Sequence, residues 1–345
     1  MGFVLQKHLW HGQRKIVRGI TIDPEGCRER DDAFWIELKQ RARRKLFISI
    51  ADVSPFVSLG SETDREALRC GMSRYGSSKY DSSSAKLMLP KNIAEDVGSL
   101  NRVPGIQKSA LKPALTVSVL LDENFLPVSD SFKLRPTWLD LVENLTYVEA
   151  DQILKRRSHE LYPILCGSKT AALNLLQMRQ KRGSIGYIGD SDEIGRPEPK
   201  KNISQRIVQE FMLLTNSFVA EFLLNNSHPA IFRNQRTSIH SPSVHMILED
   251  MAKSFILPSK CDPATMAKRI NLLLERAEYN IVLFGHHSLN LPAYTHFTSP
   301  LRRYADLVVH RIIHAILEGK EPVYSRAELE KICTHINRLN YPEDD

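Results

Sequence analysis

Asp23, Glu29, Asp31 and Asp32 stand within the run Asp23-Pro24-Glu25-Gly26-Cys27-Arg28-Glu29-Arg30-Asp31-Asp32, at spacings that could hold a divalent cation. An apolar run, Ile16 to Ile22, precedes them, and another opens at Ala33-Phe34-Trp35. Both runs read as strands, which puts the acids on a connecting loop and at its two mouths. Like charges at that density repel, and a folded chain tolerates them best around a cation. All-oxygen ligands suit Mg²⁺, with Mn²⁺ as the alternative, rather than zinc. The same residues also suit a solvated acidic turn, because Asp and Pro-Glu-Gly are ordinary turn formers. This segment alone leaves both readings open.

A second segment, Tyr294-Thr295-His296-Phe297-Thr298-Ser299-Pro300-Leu301-Arg302-Arg303-Tyr304-Ala305-Asp306-Leu307, carries cations that an anionic substrate would need. Ser299 and Pro300 predict a helix starting at 300, as N-cap and first helical residue. Leu301, Ala305, Val308, Ile312, Ala315 and Ile316 then fall on one apolar face. Arg302 and Arg303 would sit in the first turn, where the helix dipole disfavours cations, so they are expected to serve something anionic nearby. At four-residue spacing Asp306 is expected to hold Arg302, with His310 on the same face. A surface helix with a mixed-charge face fits the same pattern.

Together the two segments resemble the catalytic RNB domain of the ribonuclease II / ribonuclease R family. The family's acidic motif, Asp, five residues, then Asp-x-Asp-Asp, falls on Asp23, Glu29, Asp31 and Asp32. Its later signature, Tyr-x-His-Phe-Thr-Ser-Pro-Ile-Arg-Arg-Tyr-x-Asp-Leu, is matched from Tyr294 to Leu307, with Leu301 as a conservative change. Between them, in the same order, come Ile50-Ala51-Asp52-Val53, Met88-Leu89-Pro90, Gly98-Ser99-Leu100, Arg182 to Tyr187, and Ile207 to Leu214.

The resemblance implies a 3′→5′ hydrolytic exoribonuclease that releases nucleoside 5′-monophosphates from single-stranded RNA by two-metal-ion catalysis. It makes Asp23 and Asp32 direct metal ligands and Glu29 a ligand to a second ion or through water. Asp31 would orient the attacking water or complete the second ion's shell. Arg302 would neutralise charge on the phosphoryl oxygens, and Arg303 would help hold the RNA backbone. Tyr75 and Tyr187 match positions that stack terminal nucleotides, and Glu210 matches one that contacts RNA near the sugar. Each of these three also has a plainer reading, as a core residue or a paired carboxylate.

Three departures bear on this. Glu29 stands where the motif has Asp, and Arg28 and Arg30 flank it as competing ion-pair partners. Gly98 replaces a Cys, expected to be harmless. The chain ends at Glu343-Asp344-Asp345, where the family continues a helix carrying a further Glu. Residues 1–15 read as an N-terminal extension and 16–340 as the RNB domain, with no cold-shock or S1 domain within this chain. A partner protein supplying OB-fold RNA-binding domains is therefore expected. So is an alternative function, a weak or inactive RNB-fold subunit that binds RNA or serves assembly.

The net charge of +7 favours a polyanionic partner, with local basic runs at 41–45 and 155–157. Five cysteines without paired spacing argue for a reducing compartment and against a zinc ribbon. His310 and His314 are four apart, but Arg311 stands where a metalloprotease needs Glu. No apolar stretch is expected to reach membrane-spanning length, and Met1-Gly2-Phe3 lacks a signal-peptide layout. The expected home is the cytoplasm, or an organelle matrix after removal of a transit segment, with no membrane partner.

The elements that must position these residues read as strands at 16–22, 33–39, 45–51, 114–121 and 127–135, the last two a hairpin turning at Asp122-Glu123-Asn124. Helices read at 62–70, 91–97, 149–156, 168–181, 203–224, 243–253, 264–278, 300–317 and 326–340. Ser325 and Glu328 form a capping box for the last. Strands first and helices later is the α+β pattern. The resemblance adds that the strand-rich N-terminal half and the helix-rich C-terminal half surround an RNA channel.

Overall fold

The computed structural model describes residues 14–38, 44–75, 85–102, 111–181, 202–236 and 275–340. Runs of β-branched and apolar residues form five strands, β1 (Lys15–Asp23), β2 (Asp32–Leu38), β3 (Arg44–Ala51), β4 (Lys112–Leu121) and β5 (Lys133–Thr146). They close into a barrel in sequence order, with β1 antiparallel to β2 and parallel to β5 at the seam. Closure leaves no unpaired edge among them. Leu46 to Ala51 are all buried, because β3 faces the barrel interior on one side and other layers on the other. At the seam the β1–β5 register shifts between Gly19 and Ile20. A Cβ on Gly19 would lie 2.8 Å from Leu139 Cδ1 and 3.1 Å from Ala33 Cβ, so any larger residue would force these neighbours to shift.

The β4–β5 pair differs from the expected hairpin. Asp122 Oδ1 accepts from Asn124 N and Leu126 N, both at 2.8 Å, and the chain turns there as read. β5, however, begins at Lys133 and continues to Thr146, through Pro136, Asp140 and Glu143. Those residues disguise a strand on which Leu134, Leu139, Leu141 and Leu145 are buried.

The long β3–β4 crossover carries α1 (Glu62–Cys70), the segment Met72–Tyr75 and a π-helical turn, Asn92–Val97, where an α-helix was expected. Gly98 follows this turn. A Cβ there would meet Ile93 O at 2.6 Å and Leu301 Cδ2 at 3.1 Å, so the backbone packs here at a distance that suits glycine.

After the barrel come α2 (Tyr147–Ile153), α3 (Tyr162–Lys181) and α4 (Ile203–Leu224). Thr146 with Glu149 caps α2, and Asn202 with Gln205 caps α4. α3 starts before the expected 168. Phe34 of β2 meets Phe211 of α4 edge-on at 5.2 Å, joining barrel to helices. One expectation is overturned here: α4, with 22 residues, is long and apolar enough to cross a membrane by length and composition. In this fold it is a core helix, with Ile207, Phe211, Val219 and Leu223 buried.

A short ribbon, β6 (Phe232–Asn234) with β7 (Glu278–Asn280), leads to α5 (Tyr304–Leu317) and α6 (Arg326–Asn340). α6 has the expected capping box, Glu328 Oε2 accepting from Ser325 N at 2.8 Å. The helix expected at 243–253 and most of that at 264–278 lie outside the described residues; the remainder, 275–278, leads into β7. The whole is α+β, strands first and helices after.

Candidate active site

Asp23 ends β1 and Asp32 begins β2, so the acidic loop crowns one end of the barrel. Backbone bonds hold it there. Ala51 N, at the end of β3, donates to Asp31 O at 2.7 Å, and Leu100 N donates to Arg30 O at 3.0 Å. Ser99 Oγ accepts from Arg30 N at 2.8 Å and donates to Arg28 O at 2.7 Å. The Ser99 hydroxyl thus clamps the returning arm of the loop at Arg28 and Arg30. Ser99 was legible only as a motif match, and its clamping role depends on a contact spanning about seventy residues.

The arginine segment meets this loop in a way that corrects the helix reading. The helix begins at Tyr304, with Arg303 as its N-cap residue, rather than at 300. Residues 299–303 make a tight turn, Arg303 N donating to Ser299 O at 2.9 Å. Two carboxylates hold this turn: Leu301 N donates to Asp31 Oδ1 at 2.9 Å, and Ser299 N donates to Asp306 Oδ1 at 2.7 Å.

The two neighbouring arginines consequently separate. Arg302 Nε lies 3.6 Å from Asp31 Oδ2, with its side chain about one-third exposed at 35%. Arg303 is buried and bonded to Asp306 Oδ1 at 2.9 Å. The expected Arg302–Asp306 pair is therefore replaced by Arg303–Asp306. Arg303, expected on the RNA backbone, braces the turn from below. α5 is buried on nearly every face, not one. His310 stacks on Phe297 and bonds to its carbonyl at 2.9 Å, while His314 pairs with Asp52 at 3.0 Å, so neither is placed as a zinc ligand.

Glu29 is reached by hydroxyls. Tyr75 donates to its Oε2 at 2.7 Å and Ser73 Oγ to its Oε1 at 3.4 Å. The flanking cations go elsewhere: Arg28 to Glu95 at 3.3 Å and Arg30 to Asp23 at 3.2 Å. Glu210 is buried in α4 against Arg179 of α3, Nη2 to Oε1 at 2.7 Å, the plainer of its two readings. Tyr187, with the segment from Arg182, lies outside the described residues.

Electrostatics single out the loop. Burial raises the Asp31 carboxyl well above the usual range, although Arg302 and the Leu301 N–H oppose it. Burial and then Asp23 raise Asp32; burial raises Asp23 against the pull of Arg30. Glu29 is raised as well, by burial, with the Tyr75 bond and Arg302 opposing. Four acids share one barrel end with too little positive charge.

That deficit fits a divalent cation. Asp23 Oδ2 is buried with no hydrogen-bond partner, since Arg30 Nε faces it out of line. Among the described residues no three carboxylate, imidazole or thiol groups stand close enough to hold one ion unaided. Mg²⁺ does not require that, because it commonly takes one or two carboxylates and completes its shell with waters and substrate phosphate oxygens.

The RNB domain family profile matches residues 15–319. Ribonuclease R of Aquifex aeolicus is 30% identical over 363 residues, covering 94% of this chain and 49% of that protein. Ribonuclease R of Escherichia coli is 28% identical over 332 residues, covering 88% and 40%. The chain thus spans half or less of the length of these curated relatives. In fold it is similar to Mycoplasma genitalium RNase R in complex with ribose methylated single-stranded RNA, with TM-score 0.76 and 22% identity over 95% of this chain and 55% of that one. It is equally similar to yeast Ssd1, a pseudonuclease, with TM-score 0.76 and 20% identity over 94% and 43%.

Proposed function

Because the chain belongs to the RNB domain family, we propose that it is a metal-dependent 3′→5′ exoribonuclease that shortens single-stranded RNA to nucleoside 5′-monophosphates. The observation that carries this reading is the buried, charge-deficient acid cluster at the barrel end with Arg302 facing it.

Asp23 and Asp32 would hold one Mg²⁺ or Mn²⁺, and Glu29 with Asp31 would serve a second, directly or through water. Ions bound there supply activation of a water and neutralisation of the leaving 3′-oxygen. Asp31 is locked by the Leu301 N–H on one oxygen, which leaves the other to orient water beside Arg302. Arg302, with its guanidinium partly exposed, is placed to take up charge that builds on the phosphoryl oxygens. Tyr75 offers a ring to a terminal base, with stacking contributing about 1–3 kcal/mol regardless of sequence.

Purified protein with Mg²⁺ and unstructured RNA should release nucleoside 5′-monophosphates, quantified by chromatography. Equal degradation of DNA would sink the proposal. So would turnover of dinucleotides with none of longer RNA, which marks a small-nucleotide phosphoesterase. A second reading, a noncatalytic RNA-binding subunit, is favoured by one contact: Arg30 already lies against Asp23 at 3.2 Å and partly neutralises a proposed ligand. RNA binding without nucleotide release across a range of metal concentrations would select it. The OB-fold partner and cytoplasmic location remain part of the proposal; weak, salt-sensitive RNA binding by the chain alone would support the former.

A further inference from the structure

Glu29 is one methylene longer than the Asp of the related motif, and its carboxylate ends on the Tyr75 hydroxyl at 2.7 Å. The segment bearing Tyr75 is fixed before any ligand arrives. Ser73 N donates to Arg302 O and Tyr304 N to Gly71 O, both at 2.9 Å, which stitches the segment to the arginine turn. Arg74 and Lys86 exchange backbone bonds at 2.9 and 2.8 Å, and Met88 N donates to Ser73 Oγ at 2.9 Å. An Asp at position 29 would end about 1.5 Å short of that hydroxyl, the length of one C–C bond.

We propose that Tyr75 is a positioning residue for Glu29: its hydroxyl aims the longer acid into the ion-binding end of the barrel, and the two residues form a matched pair. This rests on the metal-dependent function proposed above. A hydrogen bond to a ligand from outside the coordination shell fixes the ligand's orientation, and its loss typically costs about 10–100-fold in metal affinity. Tyr75 would thereby link the place where the terminal base stacks to the place where the ion is held.

The test separates hydroxyl from ring. Mn²⁺ binding to the full chain without RNA is followed by electron paramagnetic resonance of free Mn²⁺. RNA affinity and the thermal midpoint are both measured in EDTA. Tyr75→Phe, which keeps the stacking ring and removes only the hydroxyl, should weaken the ion site about 10-fold or more, with the thermal midpoint of wild type. Glu29→Asp should weaken the same site, and Tyr75→Phe should then add nothing. Unchanged Mn²⁺ affinity in Tyr75→Phe, additive losses in the double variant, or parallel losses of RNA affinity and midpoint would each overturn the pairing. Wild type that releases nucleotides while Tyr75→Phe binds Mn²⁺ normally refutes this inference alone. Wild type that neither binds Mn²⁺ nor hydrolyses RNA refutes the function and the inference with it.

Discussion

On the helical side Asp64, Asp306 and Glu210 each meet an arginine, at 2.8, 2.9 and 2.7 Å, whereas at the barrel end four acids face two arginines at 3.2 and 3.6 Å. The first set is matched charge for charge. Asp64 also accepts from Tyr304 OH at 3.0 Å and Gly60 N at 2.8 Å, leaving its lone pairs occupied. The second set carries raised carboxyls, whereas a buried carboxylate oxygen with no hydrogen bond occurs in both sets, at Asp23 Oδ2 and at Asp306 Oδ2. Burying an ion without its counterion is costly, so a fold keeps such a deficit where another charge is to be bound. The difference fits matched acids that hold α3, α4 and α5 in place and, under the proposed function, under-compensated ones at the barrel end that serve the ions.

The strongest way to sharpen that division is Asp31→Asn. The amide oxygen can still accept from Leu301 N, so the turn should survive while hydrolysis is abolished and RNA affinity stays close to wild type, read by nucleotide release and filter binding. Arg302→Ala should lower turnover about 100-fold or more if its charge acts in the transition state. Weaker binding with intact turnover would reduce Arg302 to positioning.

The paired acids should behave in the opposite way. Asp306→Ala removes the ion pair of the buried Arg303 and the acceptor of Ser299 N, and should cost about 3–5 kcal/mol in urea unfolding. Asp32→Asn, which relieves repulsion, should leave the metal-free protein as stable as wild type or more so. A large loss from Asp32→Asn, or a loss below about 1 kcal/mol from Asp306→Ala, would erase the distinction between the two regions.

The smallest expected effect is in pH. Asp23, Asp31 and Asp32 hold protons in the folded state above the pH, about 4, at which an unfolded aspartate loses them. The folded state therefore binds more protons than the unfolded, and metal-free stability should fall as pH rises from that range. Asp52 runs the other way: burial pushes its carboxyl up, but His314 holds it below the usual range, so its contribution is lost on acidification. Mg²⁺ competes with protons at the cluster. Its thermal-midpoint gain should be larger at pH 8 than at pH 5, and an equal gain at both would show that these acids are not the ones titrated by the ion.

Local signals were legible in the sequence, and relations across the fold were not. Ser325 and Glu328 cap α6 as read, since the interaction closes within four residues. β1, β2 and β3 follow their apolar runs, and the acidic loop lies between strands as its spacing indicated. Arg302 and Arg303 could not be told apart, because their different fates depend on Asp31 from the far end of the chain and on where α5 begins. Glu210 gave no sign of its partner Arg179, thirty-one residues away on another helix. β5 was cut short by Pro136 and its acids, which an outward-facing barrel position tolerates but a periodicity reading penalises.

The most direct test follows a 5′-labelled, unstructured RNA on a gel with wild type and Asp31→Asn, with and without Mg²⁺. The expected result is a ladder shortening progressively from the 3′ end with wild type and Mg²⁺ only. Full-length RNA persisting with wild type despite binding, or internal fragments in place of a ladder, would contradict the assignment of the barrel-end acids to 3′→5′ hydrolysis.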